Sequence, residues 1–427
     1  MLTRALLAML FVSGCLLGAA GRDELSAQPY VRTLTRGEGS GAAGVFRLDR
    51  ELYRRVDDCR RGLLLFAPDG REIPLAVRRA AVEALPSETP LLPAKLPARR
   101  YDSTDPTAGV LFDNAGGKPV TAIRIRTAER DFEKLVRVEA GPDGKNWRTV
   151  LDAEPFFDYS GTVEAGRREF RFPAAVSDRV IRVRIMDYPG GAASPGRRVN
   201  GGILGDAEFA VRRRLRIDRI EACLDGEKLP VAEELSERVR PSSPEKADGD
   251  TTVLTFECGP YPVNGFELET SSGDFARKAT VYGSSDGGKY IRLADGELYS
   301  IDGGRFRRLR LDLPESRFPF YRIVIRNEGL APLENCSVTA LSPVYEAVFG
   351  DASPLLTLAY GGDSHGVSIA KPPAEAPVRY ALGPERPNPD WYPEKVNWMR
   401  RGLVLVVGAM LVVLCVLLWR GYKSIEK

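Results

Sequence analysis

Val136-Arg137-Val138-Glu139-Ala140-Gly141-Pro142-Asp143-Gly144-Lys145-Asn146-Trp147 alternates apolar and charged residues, turns at an Asp-Gly pair and resumes with an aromatic. A period of two around such a turn predicts a half-buried antiparallel hairpin. The pattern returns in Thr280-Val281-Tyr282-Gly283-Ser284-Ser285-Asp286-Gly287-Gly288-Lys289-Tyr290. Working outward, Asp131-Phe132-Glu133-Lys134 matches Asp274-Phe275-Ala276-Arg277, an offset of 274 − 131 = 143, and Asp152 and Glu154 keep that register with Asp295 and Glu297. The offset then slips by two or three: Phe172-Pro173 matches Leu313-Pro314, and Arg182-Val183-Arg184-Ile185 matches Arg322-Ile323-Val324-Ile325. An internal duplication accounts for all of these matches. Each copy spans roughly 110 to 130 residues, the size of a β-sandwich.

Composition agrees with folded domains rather than disorder or a polytopic membrane protein, since 43% of the 427 residues are apolar and 28% charged. Lys and Arg number 61 against 58 Asp and Glu, with the signs interspersed, so there is no basic footprint for nucleic acid.

The two ends read differently. Arg4, the apolar run Ala5 to Phe11 and small residues up to Ala20 follow the order of a secretory signal. Gly18-Ala19-Ala20 suits an ordinary signal peptidase and Val12-Ser13-Gly14-Cys15 has the shape of a lipobox; ordinary cleavage is favoured because the apolar run continues through Leu16 and Leu17. Leu403 to Trp419 holds no charge and is flanked by Arg400, Arg401, Arg420 and Lys423, which predicts one transmembrane helix of ~26 Å with its arginines snorkelling outward. A cleaved signal then places the ectodomain outside and leaves about seven residues in the cytoplasm. Of the six cysteines, Cys59, Cys223, Cys258 and Cys336 fall in the ectodomain. Four thiols allow three complete pairings, between which spacing does not choose. Cys223 with Cys336 is the pairing put forward, because they stand near the two ends of one expected domain.

The expected fold is all-β: tandem jelly-roll sandwiches plus one C-terminal transmembrane helix. The expected organisation is a signal peptide at 1–20, an N-terminal β domain at 28–96, sandwiches at 97–212 and 213–343, a short β region and stalk at 344–397, the membrane helix at 401–420 and a tail at 421–427. Pro86, Pro90, Pro93 and Pro97 mark the first boundary, Ala232 to Asp250 reads as a linker, and the seven prolines between Pro372 and Pro393 suggest a stiff stalk.

The two hairpins quoted above resemble the strand-turn-strand signature of discoidin-like, galactose-binding-like sandwiches, which implies ligand loops at one end of a jelly roll, commonly for carbohydrate or lipid head groups. The overall plan, with Val45-Phe46-Arg47-Leu48 and Phe66-Ala67-Pro68-Asp69-Gly70-Arg71-Glu72-Ile73-Pro74-Leu75, resembles the bacterial domain of unknown function 3999 family. That likeness implies a Gram-negative envelope location beside a polytopic membrane partner and supplies no activity.

Catalytic motifs do not survive inspection. Gly362-Asp363-Ser364-His365-Gly366 matches a nucleophile elbow, but His365 is the sole histidine and adjoins the serine, and Pro372 and Pro373 preclude the long helix that should follow. Gly39-Ser40-Gly41-Ala42-Ala43-Gly44 matches a dinucleotide fingerprint, yet is read as a flexible leader with neither a preceding strand nor a following helix. Asp158, Asp206, Asp286 and Asp302 are weighed as calcium ligands without forming a set, and no cofactor is expected. Trp147 and Tyr290 are read as core packing rather than a sugar platform, and Phe156, Phe157 and Tyr159 are the candidates for an exposed binding surface. The function expected is a non-enzymatic binding or accessory protein in the periplasm, anchored in the inner membrane, with a membrane protein or a glycan as partner. The alternative is an enzyme acting on envelope polysaccharide through paired carboxylates.

Overall fold

The structure, a computed structural model, describes residues 25–57, 62–100, 109–161, 163–189, 215–241, 245–247, 249–362 and 377–391. The expected signal peptide, the membrane helix, Cys59, Asp206 and the Ser364 motif lie outside these residues. Among the described residues no helix is long and apolar enough to cross a membrane. Among the described residues the architecture is all-β, and Arg50–Arg55 forms a six-residue helix capped by the Asp49 side chain accepting from Leu52 N–H. The chain divides into two compact units, residues 1–80 with 344–427, and residues 81–343.

The first unit is built from both ends of the chain. Tyr30–Arg36 lies between Leu355–Tyr360 and Val378–Leu382, with Tyr30 opposite Tyr360 and Leu34 opposite both Leu356 and Leu382. Arg386–Pro387 pairs with the start of Tyr30–Arg36 off the main path, whose order runs Glu72–Ile73, Leu63–Phe66, Leu355–Tyr360, Tyr30–Arg36, Val378–Leu382, Gly44–Arg47, Tyr345–Phe349, Leu75–Arg79. Only Pro74 separates the first of these strands from the last, so the sheet curls back towards itself. A proline suits that switch because it has no N–H to give to a ladder.

This arrangement corrects three expectations. Residues 28–96 and 344–397 do not form separate domains, since strands from both share one sheet. The proline-rich stretch is not simply a stalk, because Val378–Leu382 sits inside that sheet with Tyr380 packed edge-on to Phe349 at 5.1 Å. Nor is Gly39 to Gly44 a loose leader: strands precede and follow it, and Arg36 Nη2 donates to the carbonyls of Gly39 and Gly41 at 3.2 and 2.7 Å. Gly44 is a packing glycine, as a Cβ there would fall 2.3 Å from the Phe349 ring.

The second unit holds two sandwiches of one plan. In the first, a six-stranded sheet runs Gly166–Arg167, Arg148–Asp158, Phe132–Gly141, Val180–Met186, Gly109–Asp113, Ala98–Arg100, over a four-stranded sheet of Glu169–Val176, Val120–Arg126, Arg219–Asp225 and Leu91–Pro93. In the second, the corresponding orders are Phe306–Arg308, Ile291–Ile301, Phe275–Ser284, Phe320–Arg326, Thr251–Glu257, Glu245–Ala247, and Arg310–Ser316, Val263–Glu269, Ser337–Pro343, Ser236–Val239. Both hairpins keep the 143-residue offset strand for strand, and so do Val120–Arg126 and Val263–Glu269. Each sandwich has its own core, around Val136, Val138, Phe156 and Ile181 in one and Val281, Phe266, Tyr321 and Ile323 in the other.

The copy boundary moves as a result. Arg219–Asp225 pairs with Val120–Arg126, Cys223 opposite Ala122, as Ser337–Pro343 pairs with Val263–Glu269, Leu341 opposite Gly265. It is therefore the last strand of the first sandwich, not part of a second domain starting at 213, and Leu91–Pro93, assigned to the N-terminal domain from sequence, also pairs into this sandwich. The stretch read as a linker contains strand Ser236–Val239, and Val231–Glu234 pairs with Ala81–Ala84 in a two-stranded ribbon.

Candidate functional site

The two hairpins are closed by equivalent turns. Asp143 Oδ1 accepts from the N–H groups of Lys145 and Asn146, both at 2.9 Å, and Asp286 Oδ1 accepts from Gly288 and Lys289 at 2.8 and 3.0 Å. The glycine after each aspartate takes φ near +75°, a region that glycine enters without steric cost. The backbone N–H groups of Asn146 and Lys145 hold the Asp143 carboxyl below its ordinary value, and those of Lys289 and Gly288 do so for Asp286.

The aromatic beyond each turn does not enter a core. Trp147 and Tyr290 are half-buried, and an arginine lies over each ring: Arg182 at 4.2 Å from the Trp147 centroid and Arg322 at 3.9 Å from that of Tyr290. Arg182 and Arg322 are themselves matched by the duplication. Both stand on outward positions of Val180–Met186 and Phe320–Arg326, whose alternate residues Ile181, Val183, Tyr321 and Ile323 are fully buried. The core reading of Trp147 and Tyr290 is thus replaced by a cation–aromatic pair on the outer face of each six-stranded sheet.

Phe156, Phe157 and Tyr159 are each 0% exposed, which overturns their assignment to an exposed surface. Neighbours on a strand point to opposite faces. Phe156 accordingly faces inward, edge-on to Phe132 at 4.8 Å and Phe170 at 6.0 Å. Phe157 faces out and is covered by the second sandwich, where its ring meets Phe306 edge-on at 4.9 Å and stacks on Tyr159 at 4.6 Å. Val163, Ala165 and Ile301 complete this buried junction, with Tyr299 and Ala276 at its margin. Beneath it the Tyr159 hydroxyl donates to the buried Glu133 carboxylate.

A polar rim surrounds the apolar contact. Glu154 Oε2 accepts from Arg167 and, across the junction, from Arg305 at 2.6 Å. Burial alone would push the Glu154 carboxyl up, but the bonds to Arg167 and Arg305 outweigh it and hold the group below its ordinary value. Arg308 pairs with Glu164 at 3.1 Å, the Tyr299 hydroxyl donates to the Glu164 carbonyl at 3.1 Å, and Glu164 N–H donates to Glu297 Oε2 at 2.7 Å. Glu154 and Glu297 occupy matched positions of the two copies, so equivalent edges of the duplicated fold meet each other. Burying the Phe157 and Tyr159 side chains stabilises this contact by about 1.5–3 kcal/mol each.

Beside the junction, the outer face of the second six-stranded sheet carries a cleft of about 420 Å³. Lys278, Thr280, Arg292, Asp295, Glu297 and Arg326 line it from the sheet, and Glu164 closes it from the first sandwich. Within it Thr280 Oγ1 donates to Asp295 Oδ1 at 2.9 Å, and Arg292 is ion-paired to the same carboxylate. Residue types alone did not single out this set. The signal that could have found it is the matched position at which the copies differ in kind, Leu135 against Lys278.

Cys223 and Cys336 are not joined. Cys223 is packed with Leu91 and Ala122 in the first sandwich, and Cys336 lies against the core of the second. Their expected pairing assumed one domain where the fold has two. Among the described residues no group of three or more His, Cys, Asp or Glu side chains is arranged to hold a metal ion. Asp158 is engaged by Ser160 and Arg168, and Asp286 by its own turn.

No protein-family model and no curated protein matches this chain. Among solved structures, a glycoside hydrolase 29 family member from an unknown rumen bacterium is 14% identical at a TM-score of 0.18, covering 56% of this chain and 40% of its own. The CBM32-1 and CBM32-2 domains of ZmpB from Clostridium perfringens are 8% identical at 0.18, covering 70% of this chain and 94% of theirs. Wild-type discoidin II from Dictyostelium discoideum is 12% identical at 0.19, covering 62% and 98%. These neighbours are discoidin-like and carbohydrate-binding-module sandwiches at low similarity. At such scores they carry no argument about ligand or activity.

Proposed function

We propose that this chain is a non-enzymatic binding or accessory protein of the bacterial envelope, its ectodomain in the periplasm and Leu403 to Trp419 spanning the inner membrane. The observation that carries the reading is the junction around Phe157, Tyr159 and Phe306. An apolar contact with a charged rim joins two copies of one sandwich. Such an arrangement suits recognition of a partner with extended or repeated features, because the ordering cost of bringing two modules together is met on folding rather than on binding. A polytopic membrane protein is the favoured partner and an envelope glycan the second. The signal-like N-terminus, the uncharged C-terminal run and the resemblance to the domain of unknown function 3999 family support the location.

The test is gentle detergent extraction of the tagged full-length chain, with mass spectrometry of what co-elutes and a control carrying an unrelated membrane helix. One stoichiometric membrane protein absent from the control is the expected result. An empty eluate together with no binding across a glycan array would overturn the reading.

A further inference from the structure

We propose that the cleft beside the sandwich junction binds an oxyanion carried on a hydroxyl-rich body, as in a uronic-acid or phosphorylated sugar, with Lys278 and Arg326 as its anion clamp. This rests on the reading of the ectodomain as a binding module and assigns a ligand class to one place on it. In the antiparallel register Ala279 faces Ile325, so Lys278 and Arg326 stand directly opposite one another on adjacent strands. Both are exposed, and neither has an ion-pair or hydrogen-bond partner among the described residues. Like charges facing each other across a ladder lower the stability of a sheet.

The duplication supplies the comparison. The matched residues of the first sandwich are Leu135 and Met186, which face each other in the same register as an apolar cross-strand pair. The fold therefore accepts an apolar pair here, and only the second copy carries two cations. An oxyanion seated between them removes the repulsion, with the Arg326 guanidinium offering a planar fork and Lys278 a point charge.

The other two cations that line the cleft are already paired, Arg292 with Asp295 and Arg308 with Glu164, and what the cleft adds beside the clamp is acceptors. The Asp295 and Glu297 carboxylates lie on the next strand, Lys278 opposite Glu297 and Thr280 opposite Asp295. Carboxylates beside a cationic clamp recognise hydroxyl hydrogens, which sugars present and a bare anion lacks. The volume suits one or two sugar rings. Glu164, held by Arg308 and by its own N–H to Glu297, makes the site dependent on both sandwiches.

The experiment is calorimetric titration of the full-length chain in detergent with a trigalacturonate, a hexose phosphate and a neutral trisaccharide. At least one anionic probe is expected to bind ten-fold or more tightly than the neutral one and to weaken as salt is raised; which anion binds distinguishes a carboxylate from a phosphate source. The double change Lys278→Leu with Arg326→Met, which installs the pair of the first sandwich and removes the like-charge contact, should lower affinity at least ten-fold with a melting temperature no lower than the parent's. Glu164→Ala should weaken binding while leaving both cations in place. No binding of either anionic probe at millimolar concentration would overturn the assignment, as would equal binding by the neutral sugar or undiminished binding by the double variant. None of those results alters the co-elution test, so failure of the site and failure of the binding-module reading are told apart.

Discussion

Replacing Phe157 by alanine separates the two jobs done by neighbouring phenylalanines. Phe157 is 0% exposed and its ring is shared between Tyr159 at 4.6 Å and Phe306 at 4.9 Å. Loss of a fully buried phenyl side chain removes its transfer free energy and leaves a cavity, together about 3–5 kcal/mol. Phe306 is only partly buried, so Phe306→Ala should cost about half as much, near 2 kcal/mol. The edge-on pair adds a term of about 0.5–1.5 kcal/mol that belongs to neither residue alone. The double variant should therefore fall short of the sum of the single costs by that amount. In scanning calorimetry of the full-length chain, the sandwiches should melt together in the parent and as two resolved transitions in Phe157→Ala. Phe156→Ala, one residue away but inside the first sandwich, should lower the temperature of the joint transition without resolving it and leave the coupling term intact. Additivity of Phe157→Ala and Phe306→Ala within about 0.3–0.5 kcal/mol, with the sandwiches still melting together, would refute the junction as the coupling element.

Three further outcomes follow from other parts of the chain. Tyr321, at 0% exposure, accepts from Phe318 N–H at 3.2 Å and donates to the Ser316 carbonyl at 3.1 Å, so Tyr321→Phe should cost about 1–2 kcal/mol in urea unfolding. Burial pushes this phenol up to about 12; folding favours its neutral form, so its contribution is complete below about pH 10, is lost as pH rises towards 12, and should be absent from the alkaline stability profile of the phenylalanine variant. Burial also pushes the Cys258 thiol up to about 12, so iodoacetamide at pH 8 should leave Cys258 unmodified in the folded chain and label it after denaturation, as read by peptide mass. Asp143 and Asp286, held below the ordinary carboxylate value by backbone N–H groups, stabilise their turns above that value and cease to do so as pH falls through their lowered ones; the protection of the Lys145, Asn146, Gly288 and Lys289 amides, taken relative to their intrinsic exchange rates, should fall below about pH 3.8.

The hairpins were legible because a period of two, an Asp-Gly turn and a constant offset coincide in one stretch, and the strand bounds repeat that offset. Arg219–Asp225 was not legible as part of the first sandwich. Residues 187–218 separate it from Val180–Met186, against residues 327–336 in the second copy, so the offset drops from 140 to 118 and the homology falls out of register. The discontinuous unit escaped notice for a different reason: Tyr30 and Tyr360 pair across most of the chain, and no local pattern reports a partner so distant. Phe156, Phe157 and Tyr159 misled because an aromatic cluster marks a buried contact as readily as an exposed one, and the covering surface was contributed by the other copy. Trp147 and Tyr290 misled because an aromatic next to a strand was assumed to face its core, when an arginine from the matched strand covers it from outside.

The sheet that joins both ends of the chain sets an order of assembly. Arg79 and Tyr345 are paired neighbours, and Ala80 N–H donates to the Val344 carbonyl at 2.8 Å, so the two sandwiches are an insertion looped out from a single hairpin position. Tyr30–Arg36 is synthesised before its neighbours Leu355–Tyr360 and Val378–Leu382, which follow some 330 residues later (360 − 30 = 330). At usual elongation rates that interval is about 15–60 s, and the first inserted sandwich, complete at Asp225, has most of its latter part in which to fold. For that time Leu34 and Phe46 belong to strands whose partners, Leu355–Tyr360, Val378–Leu382 and Tyr345–Phe349, are still to come, which are sticky edges in a growing polypeptide. A ribosome stalled before residue 355 should therefore display a native first sandwich together with chaperone-dependent strands Tyr30–Arg36 and Gly44–Arg47, and loss of Leu355–Tyr360 and Val378–Leu382 should injure those two strands first.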